Sequence, residues 1–401
     1  MINIDDPRKV ETTWPLWRLG FRPFFLAGAA LAVLLIPYWL TLWYYPELIN
    51  RPFWSPVIPL WWHPHEMLFG FAMAIVAGFT LTAVQTWTGQ PGLKGWPLAG
   101  LFGLWLGARL VLMLPYAIPL WLPALLDASF LLLTAARLGW SIWRVRQWRN
   151  VAFPLLLTLA ALLNLLSYWA LYQRDMVLAS TLWQGMIWWM ALLITFVGGR
   201  VIPFFTAVRL KLPKADPIRA LDWVLFSALA VLALNALFSV LPEPLWRATL
   251  LLAGGLQLVR QSRWHGHKTR GEPLLWSLHL SYLCITVTLL ALAITGSDEV
   301  AQRQLLHLLA VGAIGGMCLA MIARVSLGHT GHNLYEGPWM APAFAMVLSA
   351  ALVRSLLPLW LPVHTELWHW LAGTLWCGAF ALFLWHYSGL LSRPRLDGRP
   401  G

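Results

Sequence analysis

The chain has 401 residues, 59% of them hydrophobic and 11% charged, with a formal net charge of +12. A soluble domain carries about a quarter charged residues, so composition excludes a soluble globular fold. The excess of positive charge lies in a few loops, which points to membrane orientation rather than to nucleic acid.

A bilayer-spanning helix needs roughly 20 mainly apolar residues. Runs of that kind recur about twelve times, over 24–45, 66–87, 97–116, 120–143, 151–172, 180–208, 219–241, 243–260, 272–295, 301–325, 337–359 and 365–388. The fold class is therefore all-α, a polytopic integral membrane protein of about twelve transmembrane helices. It reads as one transmembrane domain over 1–401, with an N-terminal segment over 1–23 and a tail over 389–401. The first 22 residues mix acids and bases, so no cleavable signal peptide is expected. With the N-terminus inside, the inner segments hold 20 Lys and Arg and the outer segments hold only Arg51, Arg174, Arg247 and Arg303. That asymmetry places both termini in the cytoplasm. Most of the 28 Trp fit aromatic belts at the interfaces. Cys284, Cys318 and Cys377 lie scattered in apolar runs and read as reduced packing residues.

Span two opens on "WWHPHEMLFG" (Trp61–Gly70), which brings His63, His65 and Glu66 to the edge of an apolar run. Pro64 suits a first helical position, which makes His63 the cap and puts Glu66 third, where it can help cap the helix. A metal-binding role stands beside that reading. In spans three and four, Arg109 and Asp127 lie nine residues either side of residue 118, the middle of a short turn. A tight hairpin sets them at one depth, roughly 10–13 Å from the turn, where an ion pair relieves the cost of each charge. Pairing is the expectation. Arg137 is close enough to the inner face to snorkel.

Span six carries Arg200 in "VGGRVIPFFT", where Gly198, Gly199 and Pro203 are expected to disrupt the helix. Freed backbone groups or a cofactor carboxylate could occupy Arg200. His279 stands two turns into span nine, and a packing role and a ligand role are both open. His307 starts span ten, which runs in the same direction as span two. His65 and His307 then share a shallow depth, and a haem could sit between two such helices, since neutral imidazole binds haem iron and copper. His329 and His332 follow span ten. His364, His369 and His386 fit interface positions, and His265 and His267 fit a solvated loop. Gly103–Gly107 and Gly312–Gly316 are spaced for close helix packing. No CxxCH, HExxH, Walker or GxGxxG–acid pattern occurs, and no internal repeat is evident.

Six stretches together resemble the NnrS family in order along nearly the whole chain. They are "GFRPFFL" (Gly20–Leu26), "WHPHEMLFG" (Trp62–Gly70), "GFTLTAVQTWTG" (Gly78–Gly89), "GGRVIPFFT" (Gly198–Thr206), "LHLSYL" (Leu278–Leu283) and "LHLLAVGAIGGMCLAMIARVSLGHTG" (Leu306–Gly331). The resemblance implies a bacterial inner-membrane protein containing haem b and copper, associated with the response to nitric oxide. The family's recurring histidines fall on His63, His65, His279, His307 and His329, the candidate metal ligands. His63, His65 and His307, with Arg200 and Arg324, are the cofactor-binding candidates, and Arg109 also falls in a recurring word. The chain departs from the family at His332, where an Arg is usual after GHTG. Haem–copper oxidases also have a twelve-helix core with haem ligands on helices two and ten, but spans six and seven here hold no histidine, so a copy of their binuclear centre is not expected.

The expected function is a haem- and copper-binding protein in nitric oxide metabolism or protection against nitrosative stress. Whether it turns over a substrate stays open. The alternatives are a transporter of a small solute, haem or a metal ion, and an assembly or scaffold factor for a respiratory complex. The expected partners are the bilayer, nitric oxide or another diatomic gas, and a second copy or a respiratory-chain protein; nucleic acid is not among them.

Overall fold

A computed structural model describes residues 12–49, 57–114, 119–335 and 337–398. Arg8, Lys9 and Arg399, counted among the 20 inner cations, as well as Arg51 and the turn around residue 118, lie outside the described residues. Within them the chain is helical and forms no strand. Its long helices are α1 (Phe21–Tyr44), α2 (Pro59–Thr88), α3 (Trp96–Met113), α4 (Trp121–Arg144), α5 (Ala152–Tyr172) and α6 (Met176–Leu210), then α7 (Arg219–Phe238), α8 (Glu243–Ser262), α9 (Pro273–Thr295), α10 (Glu299–Thr330), α11 (Ala341–Trp360) and α12 (Thr365–Ser392).

These twelve helices stand where the apolar runs predicted them. Among the described residues, eleven are long and apolar enough to cross a bilayer, and the protein is a multi-pass membrane protein. The exception is α8, which carries Glu243, Arg247, Gln257, Arg260 and Gln261 within 20 residues. Its polar groups are partly turned inward: Gln257 and Arg260 are buried.

The helices gather into two compact units. The first comprises Met1–Trp183, Ile322–Pro338 and Phe380–Gly401, and the second Gln184–Met321 and Trp339–Ala379. In the first unit α1 packs on α2, α2 on α4, and α3, α4 and α5 follow one another. In the second, α7, α8, α9, α10 and α11 pack in succession and α9 also meets α11. The Gly312–Gly316 pair packs as its spacing suggested, with Gly312 against Cys284 and Ala351 and Gly316 against Ser281. Gly103 instead faces open space.

Two expectations about local structure are corrected. Helix α2 begins at Pro59, with Ile58 as its cap, so Pro64 lies inside it and neither His63 nor Glu66 caps anything. Pro59 takes the first position, where a missing N–H costs least. Helix α6 runs unbroken from Met176 to Leu210 through Gly198, Gly199 and Pro203. The two glycines serve packing: a Cβ on Gly198 would come within 3.0 Å of the Tyr282 ring, and one on Gly199 would strike the Arg260 guanidinium.

A shared device, not evident in the sequence, relates α2 and α10. Each widens into a π-helical segment directly after a histidine, Glu66–Ala72 after His65 and Leu308–Gly315 after His307. Counting from either histidine, a glycine follows at the fifth residue and a Thr-Gly pair at the twenty-third and twenty-fourth. Those closing glycines, Gly89 and Gly331, both take positive φ, 66° and 79°, the left-handed turn that ends a helix. A π turn frees carbonyls from the α ladder, and the Trp105 indole N–H donates to that of Gly70 at 2.9 Å.

Arg22 on α1 donates to the carbonyls of Leu391 and Arg393 at 2.8 Å each, satisfying the end of α12. Both bonds are charge-assisted, so Arg22→Met is expected to cost about 2 kcal/mol. A thermal unfolding shift in detergent, absent from the exposed control Arg303→Met, would register it.

Candidate functional site

The first unit encloses a charged cluster built by four helices. Arg109 on α3 pairs with Asp127 on α4 at 2.6 Å, as the hairpin geometry predicted, and its Nε reaches Glu66 of α2 at 2.8 Å. Tyr168 of α5 donates to the same Asp127 oxygen at 2.7 Å. His65 stands between them, with Nδ1 3.0 Å from Glu66 and Nε2 3.3 Å from Asn164 Oδ1 and 3.6 Å from Asp127. The imidazole stacks on Trp61 at 4.1 Å. All these polar residues are nearly or wholly buried. The one guanidinium faces both carboxylates at short range, and such close pairing is how a low-dielectric interior tolerates ions. His65 thus has both ring nitrogens directed at protein oxygens.

His63, two residues earlier, stacks flat on Trp39 at 4.7 Å. His329 lies in the last turn of α10, beyond the limit set for span ten, with its ring 5.6 Å from Phe21. Its carbonyl accepts from Arg395, which also pairs with Asp397. Arg324 is buried in the same part of α10. His63, His65, Arg324 and His329 belong to the first unit, and Arg200, His279 and His307 to the second.

In the second unit His307 is held as the neutral ring. Arg354 can only donate, so Nε2 accepts from it at 3.0 Å, and Nδ1–H goes to the Arg303 carbonyl at 2.8 Å. Arg200 is exposed, with its guanidinium 3.9 Å from the Phe196 ring centre. Arg260 is bonded on all sides: to Asp222 at 2.8 Å, the Thr195 carbonyl at 2.9 Å and the Tyr282 hydroxyl at 2.8 Å. Tyr282 passes its own hydrogen to Gln257 at 2.6 Å.

His279 differs from His65 and His307, whose ring nitrogens both meet protein groups. Thr206 donates its hydroxyl hydrogen to the Ile202 carbonyl at 2.9 Å, so its oxygen accepts from His279 Nε2–H at 3.0 Å. That fixes the tautomer and leaves a lone pair on Nδ1. Nδ1 is buried with no hydrogen-bond partner. It abuts Gly266, where a Cβ would come within 2.8 Å. His279 also lines an open cleft of about 740 Å³ together with Gln261, His267, Thr269, Arg270 and Trp276. One basic nitrogen is thus held ready without a protein donor. Among the described residues, no three His, Cys, Asp or Glu side chains gather as a ready metal site.

A family model described as NnrS protein matches residues 15–395, which takes in every helix above. The chain belongs to the NnrS family. A search of curated proteins finds no match. The family words that carry the resemblance now have places: "WHPHEMLFG" supplies the His65–Glu66 edge of the ion cluster, and "LHLSYL" supplies His279 and Tyr282. Sequence reasoning missed Arg354, although it is the one charged residue in the run "ALVRSLLPLW" and the rule for charges within spans would have found it. It also gave Arg260 no role, because the residue stands at the very limit of the span drawn over 243–260. Thr206, Asn164 and Tyr168 carry no signal in one sequence, since their role depends on which helix faces them.

Proposed function

We propose that this NnrS-family chain is a haem-binding protein of the bacterial inner membrane that acts in the response to nitric oxide. The observation that carries the reading is His279: a neutral imidazole, its tautomer set by Thr206, with the Nδ1 lone pair unmatched by any protein donor. A buried acceptor left without a donor costs about 1–3 kcal/mol, which a ligand to that nitrogen repays. The adjoining cleft has a flat indole, Trp276, on its lining and a guanidinium, Arg270, for a carboxylated macrocycle. Haem bound there would supply an iron able to take a diatomic gas as ligand.

His65 and His307 fit this role less directly, because both ring nitrogens of each already meet protein groups. Copper would need several ligands converging, and no such set is gathered among the described residues. Copper is therefore proposed only as a second metal, with His63, His329 or a further protein supplying ligands. On the orientation read from the basic loops, both termini face the cytoplasm.

The test is the absorption spectrum of protein purified with iron supplied. His279→Ala is expected to lose the haem band, and Gly266→Ala to weaken it by crowding Nδ1, while both stay folded and membrane-inserted. Loss of the band in His307→Ala but not in His279→Ala would move the haem to the other candidate. A chain that is colourless in every preparation would end the haem reading.

A further inference from the structure

Helix α4 ends in a strongly basic region. Arg137 and Arg144 stand two turns apart on it, with Trp140 and Ser141 between them. These four side chains and the loop residues Gln90, Pro91 and Gly92 line a pocket of about 410 Å³ in the first unit. Arg137 is fixed in place, donating to Ser141 Oγ at 2.6 Å and to the Pro91 carbonyl at 2.5 Å. Neither bond neutralises it, because both acceptors are uncharged. Arg144 is exposed. The surrounding loops add Lys94, Arg146 and Arg149, and the sequence has no acidic residue between Glu66 and Asp127 or between Asp127 and Asp175. The nearest carboxylate along the chain, Asp127, is buried and committed to Arg109 and Tyr168.

A second observation sets the depth. Trp96, Trp140, Trp143 and Trp148 are all more than half exposed around this end of the helices. Exposed indoles concentrate where a bilayer meets water, at headgroup level. A pocket with two guanidinium groups, an indole wall and hydroxyl and amide donors at that level meets the phosphate of a lipid. The carbonyl end of α4 works against an anion with about half a negative charge, which two full positive charges outweigh.

We propose that this pocket binds the phosphate of an anionic phospholipid headgroup, with Arg137 as the preset contact and Arg144 as the exposed one. A phosphatidylcholine headgroup offers the same phosphate but brings its own cation, so the excess positive charge discriminates between the two. The site is independent of the haem reading, and each can fail alone.

Native mass spectrometry of the full-length protein, taken from mixed micelles holding equal phosphatidylglycerol and phosphatidylcholine, tests it. The intact chain is expected to retain phosphatidylglycerol preferentially. Arg137→Gln/Arg144→Gln should lower that preference roughly 25-fold, about fivefold for each charge removed. Arg137→Lys/Arg144→Lys should keep most of it, which separates charge from folding, and Arg303→Gln serves as a remote control. Inorganic phosphate at millimolar concentration should displace little lipid; complete displacement would make the site one for free phosphate and overturn the lipid assignment. Equal retention of both lipids by the intact chain, or an unchanged preference in the double Gln variant, would overturn the proposal altogether.

Discussion

Arg109→Leu is expected to destabilise the protein by about 3–5 kcal/mol, the range for removing one partner of a buried ion pair. Glu66 and Asp127 would remain at 1% exposure each, with the His65 imidazole and the Tyr168 hydroxyl as polar neighbours in place of the guanidinium. Water cannot reach them without opening the packing of α2, α3, α4 and α5. Leucine replaces only the aliphatic stem, so the space vacated by the guanidinium adds a cavity cost in the same direction. Reversible unfolding in mixed micelles would measure the change. Arg109→Leu combined with Glu66→Leu and Asp127→Leu should recover much of the loss, because the uncompensated charges go with it. A triple variant no more stable than Arg109→Leu would show that the cluster acts through shape rather than charge.

Gly199→Ala is expected to cost about 3 kcal/mol, near the top of the range for added volume in a packed interior. An overpacked side chain often swings aside, but here the obstructed group is the Arg260 guanidinium, tied to Asp222, Thr195 and Tyr282. Moving it breaks three charge-assisted contacts together. Helix propensity alone would make alanine the better residue at this site by about 1 kcal/mol, so the sign itself tests the packing account. Repeating the substitution in an Arg260→Ala background removes the obstruction, and the penalty there should vanish or reverse. If the two changes are simply additive, the contact between α6 and α8 is not the reason for the glycine.

These two sites mark how far one sequence can be read. Arg109 and Asp127 were legible as a pair because a short hairpin converts equal spacing from its turn into equal depth, whatever else packs nearby. The third partner was not: Glu66 looked like a cap because Pro64 resembles a helix start, and only the earlier start at Pro59 turns it inward. The double glycine of "VGGR" was read as a break, since local propensity knows nothing of Arg260 and Tyr282. The histidines were recognised as a set, yet nothing in their spacing distinguishes His65, with both nitrogens occupied, from His279, with one left open.

By itself the sequence determined the membrane class, the twelve helices and the family, because a bilayer selects apolar length within each segment and family words are local strings. The tertiary structure alone decided which polar group each buried charge meets, where α2 and α10 widen, and that Thr206 fixes the His279 tautomer with Nδ1 left open. Those outcomes depend on atoms contributed by helices far apart in the chain. A helix that crosses a membrane is apolar on nearly all faces, so periodicity does not show which face turns inward, and partners are fixed only when the helices pack.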